Sequence, residues 1–482
     1  MLLTWSLMLW SRPIAILRLN QALKRHADVR ITWPVDMTLT PRTLLLITFF
    51  HYRQRVLDAW VQAHLAAARD GFSGRDTVHA RAVHIALPAT LDEQVVPELR
   101  GRLLRRTFAR NVGCLLIHGE GGAGKTSLAC QIGRWATSDD QNLRPATHAM
   151  LPVLIEDEFD GSFLDAIRRQ LQLLVDATEP VPEDLCEALL RQRRVLVIVD
   201  HLSELSDATR AKIQPAQQDF PANAIVVTSR LDEKLGGVPK TSLRPLRLRR
   251  DRLSPFMANY LAQRGKGDLF TDSEFHAALS QLTRMIEGEG RDVTVLLARL
   301  YAEQLINARE AGERLPESIP DLMLGYVNTL NAATTDNRRA DTEVHRDAMA
   351  LAWACIETTF RPGYATLASA KAALEGDDVP TRLDYLERRL QIIQTLQPAQ
   401  DRVRFLLDPL AEYLAALYLV TRNADDGAAW HRFFEQADGI PGAPTAVRAF
   451  LIAVRDCSLA KDRAQVPSFI EGELSRRIGR EP

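Results

Sequence analysis

Apolar positions along the chain fall into three textures. Through about residue 95 they recur at helical spacing: Ile14–Leu23 is one such segment, and Thr43–Ala67 carries Val56, Leu57, Trp60, Val61 and Leu65 at intervals of one to four residues. The polar, Gly-containing stretch Asp70–Asp76 reads as a linker, Val83–Leu87 as a short run closed by Pro88, and Leu99–Ala109 as a further helix. From residue 113 short apolar runs alternate with longer helical patterns. Cys114–Ile117, Leu151–Ile155, Val195–Val199 and Ala224–Val227 read as strands, with helices at Thr126–Trp135 and Phe163–Val175. Strands recurring between helices predict βαβ units and a parallel sheet. The unbroken run Val195–Val199 predicts a central strand buried on both faces.

Beyond Leu246 the periodicity is helical almost throughout: Leu253–Ala262, Phe275–Ile286, Val293–Arg309, Ile319–Leu330, Arg346–Thr358, Tyr364–Leu374, Arg382–Leu396 and Arg404–Thr421. Prolines punctuate these segments. No internal repeat and no low-complexity tract stands out.

Composition narrows the classes. The 482 residues are 46% hydrophobic and 25% charged, as in an ordinary globular protein. A net charge of −1 gives no global case for nucleic acid as a partner. The basic run Arg244–Arg252 lacks interleaved aromatics and reads as a solvated linker or subunit contact. Five dispersed cysteines suit a reducing compartment and form no zinc pattern. Met1–Trp10 is apolar, but Arg12 and Pro13 stop it far short of the roughly 20 residues that span a bilayer. The expectation is a cytoplasmic protein, with membrane contact by this N-terminal segment the lesser reading.

The chemistry concentrates at Gly119-Glu120-Gly121-Gly122-Ala123-Gly124-Lys125-Thr126, a complete G-x-x-x-x-G-K-[ST] phosphate loop set between a strand and a helix. Glycines let successive N–H groups point at phosphate oxygens, and the following helix offers its positive end. Lys125 is placed to reach the β- and γ-phosphates and the Thr126 hydroxyl to ligate Mg2+, with Ser127 counted among the nucleotide-binding residues. The second element expected is an acid at the end of another buried strand. Asp200 follows Val195–Val199 and is assigned to Mg2+, and Glu204, four residues on, to polarising the attacking water. Arg230, after the strand Ala224–Val227, is placed to sense the γ-phosphate. His118 and His201 flank the site in sequence and are read as structural.

The segments LLIHGEGGAGKTSLA, VLVIVDHLSEL and AIVVTSRL, in that order, resemble the NACHT group of STAND ATPases. RDVTVLLARLYAEQL with LPESIPDLMLGYV resembles the helical domain that follows the NACHT core, and VRFLLDPLAEYLAALYL the winged-helix segment. The resemblance covers about residues 96–430. It implies an α/β P-loop NTPase core, with helices on both faces of a parallel sheet, followed by all-helical and winged-helix-like domains. The corresponding boundaries are 1–95 for a mostly helical N-terminal region, 96–245 for the core, 246–335 for the helical domain, 336–430 for the winged-helix-like domain and 431–482 for a C-terminal helical segment.

The resemblance further implies ATP/ADP and Mg2+ as ligands. Lys125, Thr126 and Asp200 would hold them, Glu204 would be the catalytic acid and Arg230 the first sensor. It implies an ATPase switch in signalling, with bacterial antiphage defence as its setting, self-association on activation, and a separate effector or sensor protein. Three departures from the family pattern matter. Ser203 replaces the first acid of the closing pair in D-G-x-D-E, no Pro stands near the start of the Val293–Leu300 helix, and Leu407 stands where many relatives have His. Ser203 and Leu407 favour the second reading, a nucleotide-stabilised scaffold with little turnover.

Overall fold

The computed structural model describes every residue except 1, 25–28, 32–36, 42–45, 84, 120–121, 176–179, 287–292, 313, 335–337, 377, 397–400, 461–465 and 480–482. It divides into two compact units, residues 1–119 with 125–246, and residues 247–482 with the loop residues 120–124.

The first unit is built on a seven-stranded sheet. Its strands are β1 (Ala89–Leu91), β2 (Gln94–Val96), β3 (Gly113–His118), β4 (Leu151–Ile155), β5 (Val195–Val199), β6 (Ala224–Ser229) and β7 (Lys240–Pro245). They lie in the order β2-β1-β7-β3-β6-β5-β4. The five strands from β7 to β4 are parallel, and the β1–β2 hairpin adds an antiparallel edge against β7. All of β4, β5 and β6 is buried, as is β3 up to His118. Because successive side chains point to opposite faces, burial at every position requires that both faces be covered.

The longer helices of this unit are α1 (Leu2–Ser11), α2 (Pro13–Lys24), α3 (Gln54–Ser73), α4 (Lys125–Ala136), α5 (Phe163–Leu174) and α6 (Glu183–Arg191). Helix α5 starts where Ser162 caps it, its side chain accepting from the Asp165 N–H. Helix α3 turns Val56, Leu57, Val61, Leu65, Ala68 and Phe72 inward and packs against β4, α4 and α5. The N-terminal helices therefore share one hydrophobic core with the sheet.

Three sequence expectations need correction here. The sequence reading left Lys240–Pro245 without a strand, because Leu243 is the only strongly apolar residue of its alternating buried positions Thr241, Leu243 and Pro245. It also extended helical character through residue 95, where the short β1–β2 hairpin stands. The expected helix Leu99–Ala109 is a 3-10 turn, Gly101–Leu104, running into a single α turn, Arg105–Phe108.

The second unit contains α7 (Arg250–Gln263), α8 (Asp272–Ile286), α9 (Val295–Ala311), α10 (Ile319–Ala332), α11 (Asp341–Ile356), α12 (Asp408–Asn423), α13 (Gly427–Gly439), α14 (Arg448–Leu459) and α15 (Phe469–Ile478). Thr294 and Ser318 cap α9 and α10, accepting from Leu297 N and Asp321 N, and Gly312 ends α9 in the left-handed region (φ 70°). Phe360, Phe433 and Phe450 form an aromatic cluster with centroids 5.3–6.2 Å apart, which ties α13 and α14 into one core.

Between α11 and α12 the helical reading fails. Tyr364–Thr366 (β8), Ile393–Thr395 (β9) and Arg402–Phe405 (β10) form an antiparallel sheet in the order β8-β10-β9. Among the described residues between β8 and β9, only Leu367–Ala373 and Val379–Asp384 are α-helical. Strands of three or four residues are too short to display a two-residue period, so the flanking helical spacing runs through them.

Asp347 on α11 and Arg382 form a buried bidentate pair, with Arg382 Nε donating to Asp347 Oδ2 at 2.8 Å and Nη2 donating to Oδ1. Asp347→Asn removes the charge and one acceptor, and should lower unfolding stability by about 2 kcal/mol in a denaturant titration.

Candidate nucleotide and metal site

The site begins where β3 ends. Gly119, Gly122 and Gly124 have φ of 144°, 73° and 93°, values that a side chain would oppose, so the loop's glycines are a backbone requirement. Glu120 and Gly121 lie outside the described residues. Helix α4 starts at Lys125, so Lys125, Thr126 and Ser127 form its first turn, where N–H groups have no partner within the helix. Lys125 and Thr126 are 7% and 8% exposed, and Ala123 is buried beside them.

Strand β6 lies between β3 and β5, so Asp200 at the end of β5 reaches the first turn of α4 across the end of β6. Thr126 Oγ1 donates to Asp200 Oδ1 at 3.1 Å. Thr228, on β6, donates its hydroxyl to the same oxygen and accepts the His201 N–H at 2.8 Å. Asp200 is 1% exposed. Burial by itself would raise its pKa, but the interactions with His201 and with the Thr228 hydroxyl outweigh it and hold the carboxyl well below the usual range. Asp200 is thus an anion at neutral pH.

A hydroxyl and a buried carboxylate 3.1 Å apart supply the hard oxygen donors that a small divalent cation takes. The donor set fits Mg2+ without further adjustment of chemistry.

Among the other expected residues, Glu204 closes the 3-10 turn Leu202–Glu204 just after Asp200, and its side chain lies outside the described part of the structure. Arg230 follows β6 directly, and its backbone N–H donates to Ser203 Oγ at 3.2 Å. Ser203, where the family pattern has an acid, therefore ties the turn after β5 to the end of β6. His118 is structural as expected: its Nε2 lies 2.8 Å from Ser242 Oγ, linking β3 to β7, and burial pushes its pKa down.

The structure brings His201, expected beside the site by sequence only, up to the site's side chains. Its Nε2 lies 3.0 Å from Asp200 Oδ2 and 3.4 Å from Thr126 Oγ1, and its backbone is left-handed at φ 55° and ψ 38°. The sequence held a pointer to this residue, since His201 occupies the Gly position of D-G-x-D-E. Thr228 was also missed, because a hydroxyl on a buried strand carries no spacing pattern of its own.

A phosphate loop between β3 and α4, an acid at the end of β5, and β6 inserted between the two strands define a P-loop NTPase fold. Residues 440–482 match the family described as NACHT C-terminal Helical domain 4. That match is to a domain named for NACHT proteins, and it covers the C-terminal segment of this chain. No curated protein matches it. Solved structures that are similar at a distance include the following two. Cdc6p from Pyrobaculum aerophilum is 15% identical with a TM-score of 0.30, covering 65% of this chain and 90% of that one. A STAND protein with a tetratricopeptide repeat sensor from Pyrococcus horikoshii is 13% identical with a TM-score of 0.30, covering 74% of this chain and 53% of that one. The present chain thus spans about half the length of the Pyrococcus protein. Among the described residues, no helix is long and apolar enough to cross a membrane.

Proposed function

We propose that this chain is an ATP-dependent molecular switch. Residues 119–127 bind the phosphates, Thr126 and Asp200 hold Mg2+, Glu204 orients and deprotonates the attacking water, and Arg230 senses the γ-phosphate. The observation that carries the reading is the Thr126–Asp200 pair, 3.1 Å apart and buried at the start of the phosphate-loop helix. Mg2+ supplies charge neutralisation at the phosphates, and the chain's own groups position it.

A switch needs a ligand that contacts one state and not the other, and the γ-phosphate is the group whose loss on hydrolysis changes those contacts. We read ATP binding as favouring a self-associating form and hydrolysis as resetting it. The role is signal transduction in the cytoplasm with antiphage defence as the setting, and a separate effector or sensor protein as partner. Residues 336–430, which include the β8-β10-β9 sheet, are the proposed winged-helix-like segment.

The test is ATP turnover by the purified chain beside Glu204→Gln, with mass followed by light scattering. Turnover should fall at least about tenfold in the variant while ATP stays bound, and the mass of the ATP-bound form should rise and persist. Binding with neither turnover nor change in mass would replace the switch with a nucleotide-stabilised scaffold.

A further inference from the structure

We propose that His201 is a third donor of the cation site formed by Thr126 and Asp200, and that its imidazole shifts the site's preference from Mg2+ toward cations that accept nitrogen, such as Mn2+ and Co2+. The inference rests on the nucleotide reading above and specifies its metal.

The geometry is that of a shared site. Thr126 Oγ1 stands 3.1 Å from Asp200 Oδ1, and His201 Nε2 stands 3.0 Å from Asp200 Oδ2 and 3.4 Å from Thr126 Oγ1. Two neighbouring ligands of an octahedral ion with bonds of about 2.1 Å are about 3.0 Å apart, and slightly longer bonds account for the widest edge. Asp200 meets the other two groups through different carboxylate oxygens, and each contact taken singly has about the length of one octahedron edge. A histidine serving only to cap Asp200 would need one contact, to the carboxylate. This one also approaches the hydroxyl that the phosphate loop assigns to the metal.

The backbone fixes that placement. His201 N donates to Thr228 Oγ1, and Thr228 in turn donates to Asp200, so the two residues share one anchor. His201 sits at φ 55°, a conformation that costs a residue with a Cβ about 1 kcal/mol and costs glycine nothing. A strained residue at a site where glycine would be relaxed points to a use for its side chain. The imidazole remains reachable, with 23% of the side chain exposed.

The chemistry then sets the preference. Mg2+ is hard and takes oxygen, so a nitrogen ligand adds little to its binding. Neutral imidazole is a good ligand for later divalent ions, and affinity rises from Mn2+ toward Co2+ along the first row. A hydroxyl, a carboxylate and an imidazole leave three positions for phosphate oxygens and water.

The experiment uses the full chain labelled with 15N-histidine and bound to Mn2+ and ATP, examined by pulsed electron paramagnetic resonance. The label separates imidazole nitrogen from the nitrogens of adenine. A 15N coupling is expected in the wild type and should vanish in His201→Gly. The Co2+-to-Mg2+ affinity ratio, measured by competition, should fall about tenfold in that variant. His201→Asn, whose side chain tolerates the left-handed backbone and offers oxygen, should move the ratio the same way and guards against an unfolded glycine variant. Bound Mn2+–ATP without histidine coupling, or an unchanged ratio in both variants, overturns the proposal and leaves the nucleotide reading standing. Failure of ATP to bind with any cation overturns both.

Discussion

Lys125→Ala should lower the affinity for ATP by about a thousandfold, some 4 kcal/mol, and remove turnover with it. Lys125 is the first residue of α4 and is only 7% exposed, so its charge acts where solvent screens it poorly. Hydrogen bonds from a cation to phosphate oxygens contribute about 1.5–3 kcal/mol each, and a lysine reaching both the β- and γ-phosphates makes two. The remaining phosphate contacts come from backbone N–H groups of the loop and survive the substitution, so weak binding persists. Lys125→Met keeps the apolar stem and most of the packing. It should lose affinity to the same degree while melting close to the wild type, which separates charge from fold. Titration calorimetry with Mg2+–ATP and a thermal melt on each variant read the two quantities. Retention of affinity within tenfold in both variants would mean that the loop does not bind the phosphates through this residue.

The parts of the site legible in the sequence were those in which chemistry demands fixed residue types at fixed spacing. The glycines, Lys125 and Thr126 are adjacent in the chain, and Asp200 is marked by the run of five buried aliphatic residues before it. His201 is different. It meets Thr126 across 75 residues of sequence, through a fold that places β5 and α4 around the end of β6, and no local pattern encodes that meeting. The substitution of His for Gly was visible, but its meaning depended on where Nε2 points.

The same division holds for the fold. Strands β3 to β6 are buried on both faces and spell themselves out as apolar runs. Strand β7 buries Thr241 and Pro245 beside Leu243, and its place in the sheet comes from pairing with β3 and β1, not from its own hydrophobicity. The small sheet of β8, β9 and β10 is likewise defined by its partners. Its strands have three or four residues each, and the helical spacing on either side masks them.

The N-terminal residues pose a question of cooperativity, and Phe72→Ala answers it. Phe72 lies near the end of α3 and is 1% exposed. Its ring fills the space over Gly133 on α4, where an added Cβ would stand 2.5 Å from Phe72 Cζ and 3.1 Å from Ile198 Cδ1. One contact thus joins the N-terminal region, the phosphate-loop helix and the strand that carries Asp200. Truncating the ring should lower stability by about 4 kcal/mol and the melting temperature of this unit by about 10 °C. Gly133→Ala gives the sharper reading. In the wild type the new methyl group has no room, and it should destabilise the protein in spite of alanine's higher helix propensity. In the Phe72→Ala background the ring is gone, so the same substitution should stabilise by up to about 1 kcal/mol. That reversal of sign is a coupling between α3 and α4 that no separately folding N-terminal domain would produce. Calorimetry on the four proteins of the cycle measures it. If Gly133→Ala has the same sign in both backgrounds, or if Phe72→Ala melts α3 without moving the main transition, the N-terminal helices are not part of the core that holds the site.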